Sequence, residues 1–232
     1  MKKSPEVAYE EKAANNSDKT APFAVVEAYK AIRTNLIFLL SQAKGKTFAV
    51  SSSLPGEGKS TCAINLAIAF SQLGSRVLLV DADLRKPSVY RKLHLQNNRG
   101  LSSVLVGFCS ADDAIDNIGS NFDVLTSGPT PPNPSELIGS ENMTDLLETL
   151  KEKYDYIIFD TPPINLVSDA IMLAPKTEGV VMVVQDRKTT HDQFQKAVAA
   201  LKFANIKVLG AALNGSAEKG SKYYSKSHIY TY

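Results

Sequence analysis

A glycine-rich segment between two apolar stretches constrains the fold of this chain more than any other feature. It reads Ser-Leu-Pro-Gly-Glu-Gly-Lys-Ser-Thr and covers residues 53–61. An apolar run at 48–50 precedes it, and apolar residues at helical spacing follow from Ala63. A turn that leads from a strand into a helix in this way is typical of a loop that binds phosphate through backbone N–H groups and the helix N-terminus. The sequence therefore predicts a nucleoside triphosphate site.

The residue types inside the segment match the tasks of a phosphate-binding loop. Gly56 and Gly58 allow the backbone to turn inward. Lys59 can reach the β and γ phosphates, and Ser60 can offer its hydroxyl to Mg²⁺. Ser53 stands where the strict motif has its first glycine, so one position departs from the pattern. The expected nucleotide-binding residues of the loop are Pro55, Gly56, Glu57, Gly58, Lys59, Ser60 and Thr61.

Short apolar runs alternate with helical patterns along most of the chain. The runs that predict buried strands are 47–51, 77–80, 156–159, 180–184 and 208–213, with a shorter one at 122–125. Strands that alternate with helices predict an α/β fold with a doubly wound, mainly parallel sheet and helices on both faces. Apolar positions at helical spacing over 25–40 add an amphipathic helix before the first core strand.

Composition sets the domain organisation and excludes several classes of protein. With 232 residues, 44% of them hydrophobic, the chain suits one P-loop domain over 21–215, a flexible polar arm over 1–20 and a tail over 216–232. A net charge of +2 is too small for a dedicated nucleic-acid binder. No apolar stretch is long enough to span a bilayer or to form a signal peptide, so we expect a soluble cytoplasmic protein. Cys62 and Cys109 lack the spacing of a zinc site or a disulfide.

Carboxylates follow two of the predicted strands. Asp81 and Asp83 come directly after the run at 77–80, and Asp160 follows the run at 156–159. The carboxyl ends of parallel strands meet at one edge of a sheet, so these side chains should converge on the phosphate-binding loop. The expected Mg²⁺ ligands are Ser60, Asp81, Asp83 and Asp160. A single aspartate after a strand is also a common turn residue.

The same carboxylates supply a candidate base for phosphoryl transfer. Asp81 is the leading candidate, and the choice between Asp81 and Asp83 stays open. The expected catalytic residues are Lys59, Asp81, Asp83 and Asp160. Arg85 and Lys86 follow at once and either hold phosphate or an acidic substrate segment, or form a solvated surface pair.

Three motifs in this order resemble those of the bacterial tyrosine kinases that control capsule and exopolysaccharide synthesis. They are the loop at 53–61, Val-Leu-Leu-Val-Asp-Ala-Asp-Leu-Arg-Lys-Pro at 77–87 and Tyr-Asp-Tyr-Ile-Ile-Phe-Asp-Thr-Pro-Pro at 154–163. The resemblance extends over roughly residues 23–232. It implies that Lys59, Ser60 and Thr61 belong to the Walker A loop. It also places Asp81 and Asp83 in the second acidic motif, and Asp160 in the Walker B position.

The resemblance also implies an activity and a set of partners. It implies an ATP- and Mg²⁺-dependent kinase that phosphorylates tyrosines of protein substrates and of its own tail in a neighbouring subunit. Glu27, Lys30 and Arg33 match the motif through which such kinases form ring-like homo-oligomers, with Lys30 where an arginine is usual. A transmembrane adaptor would activate the enzyme and recruit it to the inner face of the membrane.

The rival hypothesis is an ATPase of the wider superfamily that positions septa and partitions chromosomes, an assembly switch without significant kinase activity. Such ATPases usually carry an extra lysine early in the loop, where this chain has Leu54. In both groups an asparagine after the last core strand can recognise adenine, and Asn214 matches that position. Asn214 followed by Gly215 is equally well explained as an ordinary turn.

A cluster of tyrosines distinguishes the two hypotheses. Four of the nine tyrosines lie in the last ten residues, in a polar setting without an apolar period. They are Tyr223, Tyr224, Tyr230 and Tyr232. Because no periodic burial accompanies these rings, a phosphoacceptor tail explains them better than a packed terminal element. The cluster resembles the tyrosine cluster of the kinase family.

Overall fold

The computed structural model describes residues 20–43 and 46–215. Seven strands in this part of the chain form one sheet in the order β3-β4-β2-β5-β1-β6-β7. The strands are β1 Lys46–Ser52, β2 Val77–Asp81, β3 Ile115–Gly119, β4 Phe122–Leu125, β5 Tyr156–Asp160, β6 Val180–Gln185 and β7 Val208–Asn214. All neighbours pair in parallel except β3 and β4. The predicted α/β class and mainly parallel sheet are confirmed.

Helices cover both faces of the sheet, as expected for a doubly wound fold. They are α1 Thr20–Leu39, α2 Lys59–Ser71, α3 Val89–Leu93, α4 Leu101–Leu105, α5 Ala111–Ala114, α6 Pro134–Gly139, α7 Glu141–Lys153, α8 Asp169–Leu173 and α9 His191–Phe203, with a 3₁₀ turn at Ala174–Lys176. The strands bury alternate side chains in two cores. Phe48 and Val50 of β1 pack with α1 and α2, whereas Ala49 packs in the core that contains α4 to α9.

The sequence patterns did not predict strand β3. β3 is the antiparallel edge strand, and its residues are half-buried or exposed rather than alternating between core and solvent. Its register with β4 also shifts between Asn117 and Gly119. A strand of this kind has no apolar run and no period of two, which are the signals that sequence patterns provide.

The first helix begins earlier than the apolar pattern predicted. Helix α1 starts at Thr20 rather than near residue 25, and it packs on α2 through Leu36. No helix in the described ranges is long and apolar enough to cross a bilayer. The predicted arm lies outside the described residues except for Thr20. The tail with Tyr223, Tyr224, Tyr230 and Tyr232 lies entirely outside them.

Candidate active site

The strand order brings the predicted site residues to one edge of the sheet. β5 lies between β1 and β2, and its last residue, Asp160, pairs in register with Asp81 on one side and Val50 on the other. The phosphate-binding loop follows β1 directly. Ligands of open α/β sheets bind at such carboxyl ends, so the topology supports the placement of the site that the sequence predicted.

The glycines of the phosphate-binding loop have the backbone geometry that the motif demands. Gly56 and Gly58 have φ values of 73° and 95°, in the left-handed region that side chains rarely adopt. A Cβ atom on Gly58 would lie 2.1 Å from Nδ2 of Asn214. The turn into α2 therefore depends on glycine both for its conformation and for its close approach to β7.

Polar side chains from the sheet's other half hold the phosphate-binding loop. Buried Glu57 accepts hydrogen bonds from the Leu54 backbone N–H at 3.0 Å and from the Thr189 hydroxyl. Lys188 Nζ donates to the carbonyl of Pro55 at 3.2 Å and to that of Gly56 at 3.0 Å.

Asn214 adds a further contact to the loop, because its Nδ2 donates to the Glu57 carbonyl at 3.0 Å. We call Glu57, Lys188, Thr189 and Asn214 the clamp of the phosphate-binding loop. Lys188 and Thr189 were not anticipated, although their position after β6 places them at the same edge of the sheet. The expected contact between Asn214 and adenine stays a prediction.

Lys59 lies at the centre of the charged groups. Its Nζ atom is 2.9 Å from Asp83 Oδ2, 3.6 Å from Asp160 Oδ1 and 3.4 Å from the Ser60 hydroxyl. Burial alone would lower the pKa of Lys59, but the negative charges of Asp160 and Asp83 outweigh it and raise the pKa above its ordinary value. Lys59 is therefore a buried cation that the carboxylates of Asp83 and Asp160 stabilise.

Asp160 has unused hydrogen-bonding capacity. Neither of its carboxylate oxygens accepts a hydrogen bond of ordinary length and angle among the described residues, although Lys59 Nζ lies 3.6 Å from Oδ1 and Ser60 is close by, and the side chain is fully buried. Desolvation raises the pKa of Asp160, and the neighbouring Lys59 charge opposes that effect. A buried carboxylate without donors is costly unless a ligand completes its coordination.

Mg²⁺ fits the oxygen atoms around Asp160. Ser60, Asp83 and Asp160 offer the hard oxygen donors that this ion prefers. The described residues contain no group of three or more His, Cys, Asp or Glu side chains arranged to hold a metal by themselves. Mg²⁺ commonly takes only one or two carboxylates and completes its shell with water and substrate phosphates, so the site suits a nucleotide-bound ion.

Asp81 and Asp83 differ in ways that the sequence did not distinguish. Asp81 is fully buried, and its carboxylate accepts backbone N–H groups of Asp83 at 3.2 Å, Ser88 at 3.1 Å and Val89 at 3.0 Å. Desolvation, with repulsion from Asp160, raises the pKa of Asp81 to about 8. Asp81 therefore holds the loop that follows β2.

Asp83, unlike Asp81, borders the cavity next to the phosphate-binding loop. It lines an open cavity of about 330 Å³, together with Gly58, Lys59 and Ser60 of the phosphate-binding loop. Neither Asp81 nor Asp160 lines this cavity. The geometry therefore favours Asp83 over Asp81 as the group that can touch a reacting hydroxyl.

Arg85 forms an ion pair with Asp169 of the same chain. Its guanidinium donates to both carboxylate oxygens of Asp169, with Nε 2.8 Å from Oδ2 and Nη2 3.0 Å from Oδ1, and to the Ser135 hydroxyl at 2.8 Å. Burial would raise the pKa of Asp169, but the hydrogen bonds from Arg85 and Ser135 hold it below its ordinary value. Arg85 and Lys86 are both exposed and both line the active cavity.

The expected oligomerisation residues also make contacts inside the chain. Lys30 forms an exposed ion pair with Glu27 at 2.8 Å. Arg33 Nη1 donates to the Ala69 carbonyl of α2 at 2.7 Å, while its buried Nε atom has no hydrogen-bond partner among the described residues. Arg33 thus fastens α1 to α2, and a contact with another subunit stays a prediction for Glu27, Lys30 and Arg33.

Comparisons with known proteins identify the family. A family model described as an AAA domain matches residues 45–203. The tyrosine-protein kinase YwqD of Bacillus subtilis is 46% identical over 199 residues, which are 85% of this chain and 84% of YwqD. The chain belongs to the bacterial tyrosine-protein kinases. The family that the three motifs predicted for this kinase is therefore confirmed.

Solved kinase structures share the fold of this kinase. The kinase domain of Escherichia coli tyrosine kinase ETK superposes with a TM-score of 0.81 at 33% identity, covering 89% of this chain and 80% of that domain. The chimerical protein CapA2B2 superposes with a TM-score of 0.77 at 41% identity, covering 80% of this chain and 82% of the chimera. The whole E. coli Etk chain is matched over only 28% of its length.

The rival class shares the fold at lower similarity. The septum site-determining protein MinD of Pyrococcus horikoshii, solved with Mg-ADP, superposes with a TM-score of 0.61 at 27% identity, covering 72% of this chain and 69% of MinD. Kinases and such ATPases thus use one P-loop architecture. Kinase membership rests on the sequence relatives.

Proposed function

We propose that this kinase transfers the γ-phosphoryl group of ATP, with Mg²⁺, to tyrosine hydroxyls of proteins and of its own tail in a neighbouring subunit. The observation that carries the proposal is the cavity in which Lys59 and Asp83 lie side by side, 2.9 Å apart, next to Asp160, whose oxygens accept no hydrogen bond among the described residues. A cation, a base and metal-binding oxygens are the groups that phosphoryl transfer needs. We propose regulation of capsule or exopolysaccharide synthesis as the biological role.

ATP binding would change the partners of Lys59. The carboxylates of Asp83 and Asp160 neutralise Lys59 in this structure. Phosphate oxygens in the cavity would compete for the same ammonium group, and Lys59 would then neutralise charge on the phosphates. Asp83 would thereby lose its ion pair and become available to accept a proton.

Asp83 would then accept the phenolic proton of the acceptor tyrosine. The tyrosine oxygen forms a bond to the γ-phosphorus, the bond from that phosphorus to the β,γ-bridging oxygen breaks, and the electron pair leaves with ADP. Ser60 and Asp160 would hold Mg²⁺, which supplies charge neutralisation when bound, and the Asp83 carboxylate would stay free to act as the base. Asp81 would contribute indirectly, by holding the loop after β2 in position, because its carboxylate already accepts three backbone N–H groups of that loop.

The test is tail phosphorylation by the purified full chain with ATP and Mg²⁺, followed by mass spectrometry and peptide mapping. We expect phosphate on Tyr223, Tyr224, Tyr230 and Tyr232. Lys59→Met should slow transfer by a factor on the order of a hundred or more, because a charge-stabilising donor is lost. Asp145→Asn, on the exposed face of α7, is the matched control and should retain full activity. ATP hydrolysis without any phosphotyrosine would instead support the assembly-switch hypothesis.

We also propose that a transmembrane adaptor activates this kinase and recruits it to the membrane. The support is indirect: the name of the chimerical CapA2B2 joins two components, and Etk extends well beyond the matched region. A transmembrane partner would then bring this kinase to the inner face of the membrane. The test is copurification of the full chain with a membrane protein from its own cells. A detergent wash that removes this partner should also remove the kinase.

A further inference from the structure

A second cavity lies beside the active cavity and has no role in the proposed mechanism. It has a volume of about 570 Å³. One wall contains Lys86, Tyr90 and Arg91 from the segment after β2, and the other contains Asn97 and the loop at 128–130. Lys86 lines both this cavity and the active cavity. A group bound here would therefore be a near neighbour of a group bound in the active cavity.

The loop wall of the second cavity is built before any ligand arrives. Asn97 Oδ1 accepts the Gly128 backbone N–H at 2.9 Å, and Asn97 Nδ2 donates to the Gly128 carbonyl at 3.0 Å. Ser102 donates to the Pro129 carbonyl at 2.7 Å. A Cβ atom on Gly100 would lie 2.2 Å from the Gly128 nitrogen. This wall is therefore close-packed and held by hydrogen bonds.

The other wall offers positive charge. Lys86 and Arg91 both line the cavity, whereas no carboxylate from residues 20–43 or 46–215 lines it. Arg91 donates to the Pro87 carbonyl at 2.8 Å and its guanidinium lies 5.5 Å from the centre of the Tyr90 ring. The nearby N–H groups of Ser88 and Val89 are occupied by Asp81. An anion would therefore be bound by the Lys86 and Arg91 side chains.

The amino-acid sequence of the tail indicates which anion this would be. Residues 219–232 contain no aspartate or glutamate, but two pairs of closely spaced tyrosines, Tyr223 with Tyr224 and Tyr230 with Tyr232. Neighbouring Cα atoms of a trans chain are about 3.8 Å apart, so the two members of a pair are close enough for their side chains to enter two cavities that share Lys86. Once one member is phosphorylated, it is the anionic side chain closest to the remaining acceptor. Arginine clusters are a recurring means of binding such phosphate groups.

We propose that the second cavity binds a phosphotyrosine of the tail while the neighbouring tyrosine occupies the active cavity, so that the first phosphorylation of a pair promotes the second. The proposal rests on the proposed kinase activity and adds a substrate-recognition site to it. Arg91 is the principal ligand of the phosphate, with Lys86 beside it and the Tyr90 ring available to the phenyl group.

The first experiment measures phosphorylation of peptides of residues 219–232 by the full chain, with the products separated by mass. In the primed peptide one tyrosine of a pair is phosphorylated, its neighbour is free and the other two tyrosines are replaced by phenylalanine. In the unprimed peptide phenylalanine also replaces the phosphotyrosine. We expect a kcat/KM about ten-fold higher for the primed peptide, chiefly through a lower KM, which corresponds to one charge-assisted contact.

The Arg91→Gln variant should lose most of the advantage of the primed peptide and keep the kcat/KM of the unprimed peptide. Lys196→Gln on α9, an exposed cation on the other half of the sheet, is the matched control and should retain the advantage. A third peptide with glutamate at the primed position distinguishes a phosphotyrosine site from a general site for acidic side chains. Equal rates with glutamate and phosphotyrosine would overturn the assignment.

A binding measurement separates this proposal from the kinase activity. A fluorescent peptide with one phosphotyrosine and no free tyrosine should bind the full chain without ATP, and Arg91→Gln should weaken the binding about ten-fold. Binding that is the same in both proteins, or equal rates for primed and unprimed peptides, would overturn the phosphotyrosine site and leave the kinase proposal standing. Failure of both peptides as acceptors while Arg91-dependent binding persists would overturn the kinase proposal alone.

Discussion

Asp160 is a residue whose contribution to stability and whose proposed function conflict. Its carboxylate is fully buried and neither oxygen accepts a hydrogen bond among the described residues, and the Lys59 charge 3.6 Å away offsets only part of the cost of desolvation. The folded-state pKa is raised, which means that the stability contributed by this group is greatest below the ordinary carboxyl range of about 4 and declines as the pH rises. The ionised Asp160 carboxylate therefore costs stability at neutral pH unless a bound cation offsets its burial.

We expect Asp160→Asn to raise the melting temperature of the nucleotide-free protein, measured by calorimetry with a chelator present. The gain over the native chain should grow as the pH rises above about 4, because only the native chain loses the protonated form. Each kcal/mol should correspond to roughly 2–4 °C in a chain of this size. Added Mg²⁺ and ATP should stabilise the native chain more than the variant. A lower melting temperature for the variant across this pH range would contradict the account.

Asp81 and Asp83 provide a second comparison of single residues. Asp83→Asn should abolish most tyrosine phosphorylation, because Asp83 faces the cavity, and should lower the denaturant midpoint only by as much as the lost charge pair with Lys59 contributes. Asp81→Asn should lower stability as well, by roughly 1–3 kcal/mol, because an amide cannot accept all three backbone N–H groups. Both variants would be measured by urea unfolding and by phosphotyrosine yield. If Asp83→Asn stays active while Asp81→Asn retains full stability and loses activity, Asp81 is the base after all.

The parallel strands and the phosphate-binding loop were predictable from sequence because they depend on local signals. Buried parallel strands produce apolar runs, and the loop has a motif whose glycines meet a local conformational need. The ion pair between Arg85 and Asp169 was not predictable, because it joins residues 84 positions apart. The same holds for Thr189 and Glu57, which only the sheet order brings together. Local patterns specify elements, whereas contacts between elements depend on tertiary packing.

At the scale of elements, Arg85 connects the loop after β2 with helices α6 and α8. Removal of the guanidinium would leave the buried Asp169 carboxylate with the Ser135 hydroxyl as its side-chain donor. We expect Arg85→Met and Asp169→Asn each to reduce the free energy of unfolding by roughly 1–3 kcal/mol.

A double-mutant cycle tests this connection. The variant with both changes should be little less stable than either single variant, because the two residues share one interaction. Lowering the pH through the depressed pKa of Asp169 should shrink the effect of Arg85→Met, since protonated Asp169 no longer needs the arginine. Fully additive effects in urea unfolding would show that the contact does not couple the loop to α8.

At the scale of the whole molecule, the proposed ring requires contacts from α1 to a neighbouring subunit. Arg33 is already bound to Ala69 inside its own chain, so its removal would also weaken the packing of α1. Glu27 and Lys30 form only an exposed ion pair, which contributes little to the fold. They are therefore the better positions for a test of assembly.

The double variant Glu27→Ala with Lys30→Ala should be monomeric by light scattering, bind ATP normally and phosphorylate its tail several-fold more slowly at matched concentration. The melting temperature should change little, because neither side chain is buried. Lys151→Ala with Glu148→Ala removes a similar exposed pair from α7 and serves as the control. Oligomers that persist, or a monomer with undiminished tail phosphorylation, would refute the assembly role of α1.

The clamp that Glu57, Lys188, Thr189 and Asn214 form around the phosphate-binding loop has a consequence for the kinetics of nucleotide association. A loop already held by these hydrogen bonds has little conformational freedom left to lose, so we expect nucleotide binding to need no slow rearrangement. Stopped-flow mixing with a fluorescent ATP analogue should then give a single exponential whose rate rises linearly with ligand concentration. The association rate constant should lie near the upper end of the ordinary range, about 10⁶–10⁷ M⁻¹s⁻¹. Thr189→Val, which frees one end of Glu57, should introduce a slower phase that saturates.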